Sequence, residues 1–183
     1  PKGREKGKGA ARKPLTRLSE LPDKVWKTIP NDTTSGTQWY TRIQIGSDAF
    51  PVMLDGGSGV NSTTEELIVS IMNKERENGI GLGDKRHPIR QLEKWEKSEE
   101  LRGVAGGKTV PLVGSVVLAL EMKAIGKDTG TVIEVRFKIC GHGTTDWVGF
   151  ILGARALDHP KRGGLGHCPL ENAHCFTGLG IQM

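Results

Sequence analysis

Cysteine is scarce in this chain of 183 residues. Cys140, Cys168 and Cys175 are odd in number and fit no framework spacing. That excludes a disulfide-stapled secreted scaffold and favours a reducing, intracellular setting. Long apolar runs are missing too. The longest, Val110 to Leu120, is broken by Pro111 and Gly114. It falls short of the roughly 18 uninterrupted apolar residues that mark a membrane helix, so no membrane partner is expected. No apolar segment follows Pro1, so no signal peptide is visible, and the start without Met points to a fragment or a processed product. Apolar residues make up only 36% of the chain, so part of its length is expected to lie outside any packed domain. Positive charge is scarce beyond the first stretch. Residues 1–27 hold nine Lys/Arg against three Asp/Glu, while the whole chain carries only +5. The basic character therefore belongs to the leading segment.

What is present is organised by glycine and by alternation. The length supports one core with tails. Residues 1–37 are basic and punctuated by glycine and proline, and are expected to be disordered, with a weak nucleic-acid contact as their sharpest use. From Gln38 the pattern changes. Trp39, Thr41, Ile43 and Ile45 alternate with polar residues as in a half-buried strand, and Ala49 to Leu54 return after a Gly46-Ser47-Asp48 turn. Ser62-Thr-Thr-Glu65 reads as a capping box opening a helix that stops at Asn78-Gly79. Gly79, Gly81 and Gly83 lack phosphate-loop spacing and read as a turn. Ile89, Leu92 and Trp95 recur at helical spacing and predict a short amphipathic helix or an ordered insertion. Val116, Leu118, Leu120 and Met122 share one face of a strand. Ile133, Val135, Phe137 and Ile139 share the inner face of another, with Gly126 to Gly130 as their hairpin turn. A last apolar strand, Trp147 to Leu152, ends at Gly153, and Ala154 to Asp158 can make one helical turn. Residues 161–183 are Gly-rich and weakly patterned, a tail of no assigned role. The class predicted is mainly β, a small barrel or folded sheet with one or two short helices.

One stretch carries chemistry. Phe50-Pro-Val-Met-Leu-Asp55 delivers a lone carboxylate to a turn holding Gly56, Gly57 and Gly59, with Ser58 among them. A carboxylate at the end of a buried strand needs backbone N–H donors or a second acid to share its charge. Two close acids that share one proton suit water activation. Asp128-Thr129-Gly130 matches that idea in letters, but its place at a hairpin tip makes it an ordinary turn. With no internal partner left, the second acid must come from a second copy of the chain, on a two-fold axis.

The order of apolar strand, Asp55-Gly56-Gly57-Ser58, helix, Gly-rich hairpin and Phe150-Ile-Leu-Gly-Ala-Arg-Ala-Leu157 resembles the retroviral and retrotransposon aspartic proteases. Their signature is Asp-Thr/Ser-Gly-Ala/Ser after an apolar strand, with apolar-apolar-Gly-x-x-x-Leu about a hundred residues later. The resemblance covers residues 38–160. It implies a closed, folded β-barrel lobe working as a homodimer, with Asp55 of each subunit as the catalytic pair and no metal or other cofactor. Gly103, Val104, Ala105, Gly106 and Gly107 would form a flap over a polypeptide substrate bound as an extended strand. Ile151, Leu152 and Gly153 would support the active-site loop. The sequence departs from the signature at Gly56, where the family has the Thr or Ser hydroxyl that bonds across the dimer axis. A second reading therefore stays open, a protease-like domain with impaired catalysis that dimerises or binds peptides. Cys140, His142, His167, Cys168, His174 and Cys175 could in principle hold zinc, but their spacing fits no ligand pattern, so no metal site is expected.

Overall fold

The computed structural model describes residues 39–183 apart from 96, 98, 105–107, 146–148 and 171–172. The leading segment, and the nucleic-acid contact expected of it, lie outside the described residues. So do Ala105, Gly106 and Gly107.

The chain is mainly β. Trp39–Ile45 (β1) and Asp48–Asp55 (β2) form the first antiparallel hairpin. Gly46 turns it with φ 62°, a left-handed conformation that glycine takes at no steric cost. Ser62–Thr64 (β3) leads into the helix Glu65–Glu77 (α1), then Ile89–Glu93 (β4), Glu99–Val104 (β5), Lys108–Lys123 (β6) and Gly130–Cys140 (β7). Phe150–Gly153 (β8) runs into a single helical turn, Ala154–Leu157 (α2), and a 3-10 turn, Pro160–Arg162. His167–Leu170 (β9), Ala173–Phe176 (β10) and Ile181–Gln182 (β11) close the chain. The main sheet runs β1-β2-β8-β3-β7-β6-β4, with β5 also on β6 and a bridge between β1 and β6 at Gln44 and Glu121. The last three strands make a second sheet, β11-β10-β9.

Period-two alternation decides what goes inside. Ile43, Ile45, Val52 and Leu54 point inward from the first hairpin, Val116, Leu118, Leu120 and Met122 from β6, and Phe137 from β7. Phe150 of β8 meets Phe137 edge to face at 5.5 Å between ring centroids. Each such fully buried large side chain contributes about 1.5–3 kcal/mol. α1 lays Ile68 and Ile71 on the core. It also buries Glu75, 2% exposed, whose Oε1 accepts from the Ser47 N–H at 2.7 Å and the Ser47 hydroxyl at 2.8 Å. A helix carboxylate thus clamps the β1–β2 turn. α1 ends as its sequence predicts. Gly79 at φ 74° sends its N–H to the Arg76 carbonyl, and Ile80 N–H follows to that of Glu75.

Two local expectations give way. Ser62 to Thr64 are not a capping box. All three are buried in β3, between β7 and β8, and Thr64 makes no side-chain cap bond. β-branched threonines suit that sandwiched strand better than a helix start. Ile89 to Glu93 are a strand on β6 with a bulge between Ile89 and Gln91, not a helix. Only Ile89 goes inside, and Leu92 stays 47% exposed. The Gly-rich end is folded. Phe176 is fully buried in the main core, and Leu165, Leu179, Ile181 and Met183 pack on it. The Leu165 N–H donates to the Ala156 carbonyl at 2.7 Å.

Candidate active site

β2 and β8 are parallel neighbours, and their register sets Asp55 beside Gly153 and Leu54 beside Leu152. Asp55 is therefore the last residue carried by the sheet before the chain turns. Its Oδ1 accepts from the Gly57 N–H at 2.9 Å, and its carbonyl accepts from the Ser58 N–H at 3.1 Å. Asp55 is half-buried, and Gly56 and Gly57 are exposed. The carboxylate is oriented by its own turn and presented at a surface.

The turn is braced from beneath. The Ala154 N–H donates to the Ser58 carbonyl at 2.7 Å. Gly153 passes so close that a Cβ there would stand 2.5 Å from the Val60 oxygen and 2.7 Å from the Ser58 oxygen. Only a residue without a side chain permits that approach. Ile151 and Leu152 are buried, 6% and 0% exposed, one strand-step behind. Ser58 turns its hydroxyl onto the Val60 carbonyl at 2.8 Å.

Asn61 is a residue that the sequence reading missed. Its Oδ1 accepts from the Gly153 N–H at 2.9 Å, and its Nδ2 donates to the Arg136 carbonyl at 3.0 Å. The Lys138 N–H donates to its backbone carbonyl at 3.0 Å. One amide thus ties the end of the Asp55 turn to β8 and β7. The only sequence signal was an Asn closing a turn, a common enough arrangement.

Gly56 has open space around it, since a Cβ there would meet nothing within 4 Å, and its φ is not left-handed. Among the described residues, nothing requires glycine at this position. Beside it lies a groove of about 630 Å³ lined by Trp39, Leu54, Arg155, Asp158, His167 and Pro169 among others. A second groove, of about 440 Å³, lies along Gly59 to Asn61, Arg136, Lys138 and Arg155.

No family model matches the chain, and no curated protein matches it significantly. Among solved structures, it is similar to retroviral-type proteases. One is the retroviral protease-like domain of Ddi1 from Leishmania major, at 13% identity and a TM-score of 0.44, over 80% of this chain and 94% of that one. Another is EIAV protease complexed with the inhibitor HBY-793, at 18% identity and a TM-score of 0.41, over 74% and 96%. A third is a retropepsin-like aspartic protease from Rickettsia conorii, at 14% identity and a TM-score of 0.31, over 63% and 73%.

The remaining candidates fall elsewhere. Gly103 and Val104 end β5, whose hairpin with β6 pairs Val104 opposite Lys108. Asp128 is exposed in the β6–β7 loop. Cys140 is buried at the end of β7, and burial pushes its thiol up to about 11. His142 lies on the acids that open α1. Its N–H donates to Glu65 at 3.0 Å, and its Nδ1 is 3.2 Å from Glu66. Glu66 is held below the usual carboxylate range, first by the Gly143 N–H. His167, Cys168, His174 and Cys175 share the β9–β10 hairpin. Alternation puts both histidines on one face and both cysteines on the other, so the four do not converge on one point.

The histidine face is a small network. His174 Nε2 lies 3.1 Å from the Tyr40 carbonyl, which can only accept, so that nitrogen carries the proton. His174 Nδ1 then accepts from His167 Nε2 at 3.1 Å. Burial, then the neighbouring His174, holds the His167 pKa below its ordinary value.

Proposed function

We propose that the chain is an aspartic endopeptidase that works as a homodimer, hydrolysing peptide bonds with a water held between Asp55 of the two subunits. The observation that carries this reading is the bracing of Asp55. It leaves the sheet beside Gly153, its carboxylate takes the Gly57 N–H at 2.9 Å, and its turn rests on Ala154 and Asn61. A carboxylate fixed this way and open to one side can serve as half of a proton-sharing pair. Two such groups facing each other cannot both ionise, so one takes a proton from water while the other protonates the peptide carbonyl oxygen. The β5–β6 hairpin is the flap that covers an extended substrate and excludes water. Asp55→Asn should abolish cleavage of a peptide library, and a pepstatin-type inhibitor should block the wild type. Cleavage that survives Asp55→Asn would end the reading.

One observation favours a second reading, a protease-like domain that dimerises or binds peptides with impaired catalysis. Gly56 carries no hydroxyl to bond across a two-fold axis, and a lost reciprocal bond costs about 1–3 kcal/mol where its partner stays buried. A wild type that sediments as a dimer, binds peptides and cleaves none would establish this second reading.

A further inference from the structure

The β9–β10 hairpin sets two free cysteines directly opposite each other. Cys168 pairs with Cys175 in register, so both side chains leave the same face. That face is turned away from the core. Cys168 is exposed and Cys175 half-exposed, while His167 and Phe176 occupy the inner face. His174 exchanges both backbone bonds with Met183, at 2.8 and 2.7 Å, which turns the N–H and C=O of Cys175 towards β9. Cys168 and Cys175 are therefore the hydrogen-bonded kind of pair, and Pro169, with no N–H to give, fills the other kind opposite His174. Such pairs have Cα atoms about 5.5 Å apart, inside the range of roughly 4.4–6.8 Å that a disulfide spans. The Cys168 thiol now points to the Pro169 carbonyl at 3.9 Å, and a turn about its Cα–Cβ bond brings it over Cys175.

We propose that Cys168 and Cys175 are a thiol–disulfide site, closed by a low-molecular-weight disulfide such as glutathione disulfide. The more exposed Cys168 reacts first. Its thiolate attacks one sulfur of glutathione disulfide, forms a mixed disulfide and expels one glutathione thiolate, which takes up a proton. The Cys175 thiolate then attacks Cys168 Sγ and expels the second glutathione. Two protein thiols are oxidised, and one disulfide is reduced to two thiols. Cys140 takes no part, because its buried thiol stays protonated at neutral pH. Closure locks the hairpin whose inner face supplies His167 and Pro169 to the groove beside Gly56. Oxidation thereby stiffens one wall of that groove.

The test uses the full chain and needs no enzymatic activity. Protein equilibrated with glutathione disulfide is alkylated and cleaved after Glu171, which separates the two cysteines. The expected product is a pair of peptides joined through Cys168 and Cys175, absent from Cys168→Ser and Cys175→Ser. Oxidised protein should also melt about 5 °C above reduced protein, as closing a loop of this length gives. Recovery of the two cysteines as separate glutathione adducts, as alkylated free thiols, or joined to Cys140 or between chains would overturn the proposal. Equal melting of linked and reduced protein would overturn the locking of the hairpin.

Discussion

Replacing Gly153 by alanine probes the support of Asp55 without touching the acid. The new Cβ would stand 2.5 Å from the Val60 oxygen, whereas ordinary contact begins at 3.4 Å. Tightly packed surroundings cannot absorb that overlap in place, so the turn must retreat by about 0.9 Å. A retreat of that size stretches the 2.7 Å bond from Ala154 to the Ser58 oxygen beyond hydrogen-bonding range. Overpacking costs about 1–3 kcal/mol and each lost bond about 0.5–1.5 kcal/mol. Together these give about 2–4 kcal/mol, or a fall in Tm of about 6–12 °C for a domain of this size. Thermal melting followed by circular dichroism measures it, with Gly56→Ala as the comparison, because a Cβ at Gly56 meets nothing within 4 Å. Gly56→Ala should melt within about 2 °C of the parent. If Gly153→Ala melted equally close to the parent, the close approach of Gly153 would not be what supports the turn.

Three more expectations follow from described contacts. Gly56→Thr fits the open space at that position. If a hydroxyl across the dimer axis is what the site lacks, kcat/KM for peptide cleavage should rise about 10- to 100-fold, and an unchanged value would reject that account. Glu75→Ala removes both bonds to Ser47 at 2.7 and 2.8 Å and leaves a buried gap, so chemical denaturation should show a loss of about 2–3 kcal/mol. Because the His167 pKa is lowered on folding, the unfolded chain takes up a proton at higher pH than the native one. Its contribution to stability is therefore complete above the unfolded value of 6.5 and is lost as pH falls through the folded value. Denaturation curves from about pH 7.5 down to about pH 5 should lose more stability in the parent than in His167→Gln, and parallel losses would contradict the assignment.

Elements whose pattern and partners are local were legible in the sequence. Ile43 and Ile45, the even-numbered run from Val116 to Met122, and Phe137 all face the core that their alternation predicts. Asn78-Gly79 ends α1 because a left-handed residue is needed there. What stayed hidden depended on distant partners. Ser62 to Thr64 have helix-cap chemistry, yet β7 and β8 on either side claim them as strand. Ile89 and Leu92 are three apart, a spacing open to a bulged edge strand as well as to a helix, and β6 decides. The final strands are only four, four and two residues long, and their inner face carries histidines, so no apolar alternation announced them. At the site, Asp55 was legible as a lone acid between an apolar strand and glycines. Asn61 was not, because the groups it joins lie about 75 and 92 positions away in sequence.

The parallel pairing of β2 with β8 also fixes when the Asp55 turn can exist. Val52 meets Phe150, so about 100 residues must be looped out before that contact forms, whereas the β1–β2 and β6–β7 hairpins close locally. Loop-closure entropy makes the local hairpins early and the distant pairing late. A nascent chain that has released β2 but not β8 holds Asp55 with nothing beneath its turn. Assembly of the candidate site therefore waits for a long-range step of folding, and pulse-labelled hydrogen exchange should find the β6–β7 amides protected before those of Gly153 and Ala154.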